Sequence, residues 1–375
     1  MSIFSLSGKA NLSIAVSAAL LIVANASPVV AQNTLEEIVV TAQKRDQSLQ
    51  DVPISVAAFD AEMLDNMVAT DIGDIAAFTP NVSIGTGQAT QPSLSIRGIG
   101  TSDFGVGLES AVGVYIDGVY IGRSGAANLA FNDIQRVEIL NGPQGTLFGR
   151  NAAAGAVQYI TNKPNQETEG WMKLTLGNYG KTQLEGVYNT PLTDNLALRA
   201  SALMNQRDGY IEDTGDDRND EDNWGVIASL LWTPTDRLEV LWRVEYDEIN
   251  QTSRADSSAT LGPRDNGADF DKIENDGDTR EWRDLFGTSL HVKYDLVDVV
   301  FNSITSYRTF ESFNRRDKDG SAEARYFFDD LNYEDNTAFS QEWRFESATD
   351  GPLQWVAGAN YFRENAEQIG GAFFS

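Results

Sequence analysis

Cysteine is absent from all 375 residues, and histidine occurs once, at His291. The first absence removes disulfides, thiolate metal sites and cysteine nucleophiles, so packing and hydrogen bonding must hold the fold. The second leaves histidine-built metal centres and histidine-dependent catalytic triads without material, and His291 has no evident serine and acidic partners in the pattern. Positive charge is also scarce. Against 55 Asp and Glu stand 28 Lys and Arg, a formal charge of -27, which disfavours nucleic acid as a partner. Beyond the N-terminus no segment approaches the roughly 20 apolar residues that a membrane-spanning helix needs. Any insertion into a bilayer must therefore use strands.

What is present begins with the anatomy of an export signal. Lys9 supplies a cation, Leu12 to Ala24 an apolar stretch, and Ala24, Ala26 and Ala31 the small residues of a cleavage region. Residues 1–31 are read as the signal peptide, cleavage after Ala31 fitting slightly better than after Ala26. Directly behind it runs EEIVVTAQKR, from Glu36 to Arg45. Ile38, Val39, Val40 and Thr41 have the β-branched makeup of a strand, yet nothing upstream survives processing to pair with them. The strip reads either as an unpaired strand offered to a partner's sheet, guarded by flanking charge, or as a linker or the first internal strand of the adjoining domain.

From residue 46 to 165 short helices and strands alternate. DVPISVAAF gives a strand around Ile54 to Ala57, and Thr70 is placed to cap a short helix in which Ile72, Ile75 and Ala76 share a face before Pro80. Val82 to Ile84 and LSIRGIG come next as strands. In VGVYIDGVYIGR, Asp117-Gly118 between alternating hydrophobes is a strong hairpin signal. The glycine-rich loops fit no nucleotide motif, since Asp103 replaces the third glycine of a dinucleotide fingerprint and GPQGTLFGRN lacks Gly-Lys-Ser/Thr. Their glycines suit tight turns and close backbone approach, and no cofactor is expected.

After Pro164 long alternating strands take over. In LEVLWRVEYDEI, Leu238, Val240, Trp242, Val244 and Tyr246 share one face, while Glu239, Arg243, Glu245 and Asp247 share the other. Similar runs fall near 170–177, 181–189, 195–207, 224–233, 285–294, 299–310, 338–346 and 353–362, nine strands in all. Short turns (NTPLTDN, TPTDR, DLVD, ATDGP) alternate with long polar loops, the layout of a transmembrane β-barrel with turns periplasmic and loops outside. Trp224, Trp232, Trp242, Tyr246, Trp343, Phe345, Trp355 and Tyr361 are candidates for interfacial girdles. The acidic stretch Asp208 to Asp222 reads as a solvated loop, with a calcium site as the alternative. The fold class is thus a small α+β domain followed by an antiparallel transmembrane β-barrel.

This layout resembles the TonB-dependent outer-membrane receptors. EEIVVTAQKR resembles the TonB box, DVPISVAAF the start of the plug, and LSIRG, YIDGVYIGR and IQRVEILNGPQGTLFGRNAAAGAVQYITNKP its later signatures. The resemblance implies a TonB box and linker at 32–45, a plug domain at 46–165, and at 166–375 the N-terminal part of a barrel that in the family has 22 strands. A barrel of about that width cannot be filled by its own side chains. Nine strands do not close it, and GGAFFS falls where another loop is expected, so the chain reads as the N-terminal part of a longer receptor.

It further implies that Glu37, Ile38, Val39, Val40, Thr41 and Ala42 meet TonB of the inner-membrane energy complex. Arg97 and Arg150 match family arginines that lock the plug to acidic groups of the barrel wall, the alternative being that each satisfies nearby plug carbonyls; Glu138 carries the same two readings. Gln88, Gln91, Thr101, Ser102, Asp103 and Phe104 lie on plug loops expected to face outward and touch ligand. The implied activity is energy-coupled import of a bulky, scarce nutrient, foremost a ferric siderophore. A carbohydrate or cobalamin receptor and a passive channel are the alternatives, and no catalytic residues are expected. Outer-membrane lipid and the barrel assembly machinery are the other implied partners.

Overall fold

A computed structural model describes residues 39–45, 47–67, 69, 71–85, 90–101, 105–127, 133–213, 216–253, 279–317, 328–349 and 353–374. The signal peptide, Glu37 and Ile38 therefore lie outside the described residues, as do Thr70, Gln88, Ser102, Asp103 and Phe104. In chain order the first part comprises β1 (Val39–Val40), β2 (Gln47–Ser48), β3 (Val56–Asp60), α1 (Ala61–Asn66), α2 (Ile72–Ala76), β4 (Val82–Gly85), β5 (Ser93–Ile96), β6 (Ile99–Gly100), β7 (Val112–Ile116), β8 (Val119–Ile121), β9 (Ile134–Asn141), α3 (Gly145–Phe148) and β10 (Gly155–Thr161).

Its central sheet has the order β3-β9-β10-β7-β8, with β10 parallel to β7 and the other pairs antiparallel. Asp117 (φ 48°) and Gly118 (φ 83°) make the two-residue turn between β7 and β8, and both are left-handed as an Asp-Gly hairpin requires. The short α2 is capped by Asp71, whose carboxylate accepts from the Gly73 and Asp74 amides at 2.7 and 3.3 Å. The cap therefore sits one residue beyond the expected Thr70. An aspartate in extended backbone reaches both the second and the third amide of the helix. Val112, Val114, Ile116, Val137, Ile139 and Val157 are buried in the domain's core, which Leu285 and Phe310 join from the second part.

That second part is one sheet of nine antiparallel strands, each hydrogen-bonded to its neighbour in sequence: β11 (Glu169–Leu176), β12 (Thr182–Thr193), β13 (Leu196–Arg207), β14 (Glu221–Thr235), β15 (Leu238–Gln251), β16 (Arg280–Asp295), β17 (Val299–Asp317), β18 (Phe328–Ser347) and β19 (Val356–Phe374). Faces alternate as the pattern predicts. Leu241, Arg243, Glu245, Asp247 and Ile249 are buried towards the first domain, whereas Trp242 points the other way, 48% exposed.

At the long-loop end, however, the strands run well past the predicted limits. β16 begins at Arg280, β17 ends at Asp317, β18 begins at Phe328, and β19 continues through GGAFF, where a loop was expected. A 20-residue strand such as β18 extends about 65 Å at the usual rise, far beyond the roughly 30 Å hydrocarbon layer. Past the lipid neither face needs to be apolar, so the alternation that marks the strand fades while the ladder goes on. Among the described residues β11 and β19 each pair on one side only.

Candidate functional site: the interface between the inner domain and the barrel wall

The two parts meet through buried charge. Asp117, already committed to the β7–β8 turn, accepts hydrogen bonds from the Thr161 amide at 2.9 Å and the Thr161 hydroxyl at 2.8 Å, and pairs with Arg243 of β15. Burial pushes the Asp117 carboxyl up, but the Arg243 guanidinium and the Thr161 donors outweigh it and hold the group below the usual carboxylate range. Arg243 also donates to Glu245 at 2.7 Å, and Glu245 pairs with Arg308 of β17. The turn of the inner domain thus completes an alternating row of charges on the wall. A charge removed from water is costly to leave alone, and Asp117 lets Arg243 be shared between two carboxylates.

Four further contacts fasten the same two parts. Arg199 of β13 grips Asp133 with two hydrogen bonds, 2.6 and 2.7 Å. Arg123 pairs with Glu334 of β18. Arg283 of β16, fully buried, donates to the Gly125 carbonyl at 2.8 Å. The Thr90 hydroxyl donates to Glu281 at 3.1 Å. At Gly125 the backbone comes so close that any Cβ would strike the Thr90 carbonyl and the Phe310 ring, so the expected close approach of plug glycine to wall is present here.

The strip at the start of the described chain lies against this assembly rather than standing free. Val39 and Val40 pair with Ser48 and Gln47, so β1 is an internal strand, paired where an unpaired one was the first expectation. Val40 and Ala42 are fully buried, and Val39 is 45% exposed. The Thr41 amide donates to both oxygens of Glu138, at 2.9 and 3.1 Å. Lys44 reaches Glu342 of β18 at 3.4 Å and lies 4.8 Å over the Phe148 ring. Burial holds its ammonium below the ordinary lysine value, with Glu342 acting in the opposite direction. Arg45 donates to Gln354 at 2.7 Å and to the Ser347 hydroxyl at 3.0 Å, at the β18–β19 corner.

The three residues predicted to lock plug to wall fare differently. Glu138 is buried completely, but its partners are Thr41, Arg136 at 2.8 Å and Gln158 at 3.3 Å, none of them on the wall. Arg97 sits at φ 55° in the β5–β6 turn, exposed and without an ion pair among the described residues. Arg150 pairs with Glu109 of its own domain and lies 5.1 Å over the Phe362 ring of β19. It therefore meets the wall through a ring face instead of a carboxylate. The fastening falls mainly to Asp117, Asp133 and Arg123, of which only Asp117 stands out in the sequence, and there as a turn residue. On the wall side Arg243 belongs to the polar face of its strand by pattern alone, a visible signal with no partner attached.

Of the expected ligand-facing residues that are described, Gln91 is half-buried, and the Thr101 hydroxyl links the Glu109 carbonyl and the Ala111 amide at 3.2 Å each. Their neighbourhood lies at the long-loop end of the sheet. Thr90 meets the second residue of β16, and the Val106 amide donates to Gln368 in the outer half of β19 at 3.0 Å. The Lys44 and Arg45 contacts lie at the opposite, short-turn end. Within the acidic stretch Arg218 pairs with Asp213, and Asp220 accepts from the Thr252 amide at 2.8 Å.

Residues 48–156 match the family model described as the TonB-dependent Receptor Plug Domain. The chain is 27% identical over 312 residues to the pesticin receptor of Yersinia pestis, covering 78% of this chain and 45% of that one. It is 23% identical over 265 residues to the ferrioxamine receptor of Yersinia enterocolitica, covering 68% and 36%. The crystal structure of the ferric yersiniabactin uptake receptor of Yersinia pestis superposes with a TM-score of 0.73 at 20% identity, over 86% of this chain and half of that one. The chain thus spans less than half the length of the two curated relatives, and its nine strands form the same kind of outer-membrane sheet. Residues 48–156 are thus a plug domain of the TonB-dependent receptor type, and the chain around them is similar in sequence and in fold to outer-membrane receptors.

Proposed function

We propose that this chain provides the plug and the first nine barrel strands of an energy-coupled importer of a ferric siderophore. One observation carries the reading. A plug domain of the TonB-dependent type covers the inner face of the sheet and is fastened to it mostly by ion pairs and hydrogen bonds, with Leu285 and Phe310 the wall's share of its apolar core. A passive channel has no use for such an obstruction, and a plug held by exchangeable polar contacts suits a block that must open. The names of the relatives, a ferrioxamine receptor and a ferric yersiniabactin uptake receptor among them, support an iron chelate as cargo.

In this reading residues 37–42 form the box that pairs with TonB, and the strip must first leave Glu138 and the wall. No catalytic role is assigned to any residue. The test is uptake by a Gram-negative strain lacking its own siderophore receptors and carrying the gene. Radioiron-labelled ferrioxamine and yersiniabactin and radiolabelled cobalamin are supplied with and without a protonophore. At least one ferric siderophore should accumulate tenfold or more above the empty strain and only in energised cells. Accumulation that ignores the protonophore, or of cobalamin alone, would contradict the proposal.

A further inference from the structure

The outward face of β15–β19 carries two parallel rows of side chains that contact with hydrocarbon does not require. The lower row is acidic. Glu248, Asp284, Glu311, Asp335 and Glu367 stand directly opposite one another across the five strands, on the face that holds Trp242. The upper row, two residues further towards the long-loop end, is Trp282, Phe313, Tyr333 and Ile369. The Trp282 and Phe313 rings stack with centroids 6.2 Å apart, Tyr333 meets Trp282 edge-on at 6.3 Å, and Ile369 is 66% exposed.

Their height sets both rows apart from the membrane band. Phe301 and Phe345 form a pair near the short turns, ring centroids 4.9 Å apart. Glu311 and Asp335 lie about ten residues further along the same strands, which at about 3.3 Å per residue and a tilt of about 40° is about 25 Å, the height of the apolar band. The carboxylates thus stand at its outer limit, and the aromatic row lies about 5 Å above them. No apolar side chain is required there, yet the rings and an isoleucine gather into a patch, as they do at binding surfaces.

Charge decides what can cover that patch. Carboxylates opposed at about 5 Å repel one another, and the Tyr333 and Tyr246 hydroxyls that donate to Glu311 at 2.6 Å and Asp284 at 3.1 Å are neutral, so the charge stays in place. Arg280 and Arg315 face each other beyond the aromatic row and Arg363 lies below the acidic one, so none of them interrupts it. A phosphate-bearing lipid headgroup would meet this row with like charge. A second copy turned about the membrane normal would bring the same row to the same height. Residues 254–278 include seven acidic and three basic side chains, which is again the wrong sign.

The spacing suits one kind of element. Neighbouring strands lie about 4.8 Å apart and helical turns about 5.4 Å, so a helix laid across the strands sets one turn on each. We propose that this face docks a basic amphipathic helix of a partner protein at the cell surface. About 13 residues span the five strands, with cationic side chains on the acidic row and apolar ones on Trp282, Phe313, Tyr333 and Ile369.

The test uses the intact receptor purified in a nonionic detergent. The probe is a fluorescent synthetic helix of about 14 residues, leucine on one face and lysine on the other, and binding is read by anisotropy. Removing three charges together, with Glu311→Gln, Asp335→Asn and Glu367→Gln, should weaken binding at least tenfold, and Phe313→Ser at least threefold. The same loss of charge at the short-turn end, with Asp194→Asn, Asp236→Asn and Asp298→Asn, should change it less than twofold. Each variant is first checked for the heat-resistant compact band of a folded barrel, and Tyr333→Ser replaces Phe313→Ser if that band is lost. Unchanged binding by the acidic-row variant would overturn the proposal, as would an equal loss from the short-turn variant, since the helix would then sense only bulk charge. Lipopolysaccharide that copurifies with the unaltered receptor and is lost from the acidic-row variant would also overturn it, because lipid would then hold this face.

Discussion

At the residue scale, Asp117 shows how one side chain serves two ends. Its left-handed backbone makes the β7–β8 turn, while its carboxylate closes the row of charges on the wall. Replacing Asp117 by asparagine keeps the turn but leaves Arg243 with Glu245 as its one remaining ion-pair partner among the described residues. Breaking buried pairs of this kind costs about 3–5 kcal/mol, and the expected result is faster amide exchange across Val112 to Ile121 with surface expression retained. The direction of the Asp117 shift also sets a pH dependence. A carboxyl whose folded-state value is depressed stabilises above its unfolded value and loses that contribution as pH falls through the folded one. Exchange protection of the hairpin should therefore be flat from neutral pH down to about 5 and fall only below about pH 4. A loss centred near pH 6 would place the latch elsewhere. Arg97 marks what residue types alone conceal. An arginine in a conspicuous motif suggests a lock, and the fold adds that it stands in a tight turn, exposed and without an ion pair among the described residues.

At the scale of elements, the parts pressed by lipid are the readable ones. Where a strand crosses the bilayer, one face must be apolar and the other must suit the plug, and that alternation is enough to locate all nine strands. Beyond the bilayer the constraint ends, which is why the outer halves of β16 to β19 leave no mark in the pattern. Trp242, on the lipid side of β15, should thus tolerate another large apolar residue but not a charge. Trp242→Arg is expected to destabilise the folded sheet by about 2–4 kcal/mol if the position lies near the membrane midplane, read as loss of the heat-resistant compact band in gel electrophoresis of outer membranes. An unchanged band would mean that this face does not meet lipid. The strip Val39 to Arg45 is legible as a strand and as a charged segment. Its clamp on Glu138 is not, because Glu138 is 97 residues away and only the folded plug brings it near, and its local pairing with β2 involves two residues, too few to show an alternation.

At the scale of the whole molecule, the plug is a compact domain whose own core is apolar and whose outer surface is tied to the wall mostly by charge. That division would let the plug stay folded while its attachments change, as the proposed import requires. The strip reaches both structures, touching Glu138 in the plug and Glu342 in the wall, so a pull on it acts on both at once. The most direct test of this account is Val39→Pro in the intact receptor, since proline removes a backbone donor that strand pairing with TonB would use. Energised uptake of a radioiron-labelled ferric siderophore should fall at least tenfold while surface binding of the same chelate stays unchanged. Uptake equal to that of the unaltered receptor would contradict the account.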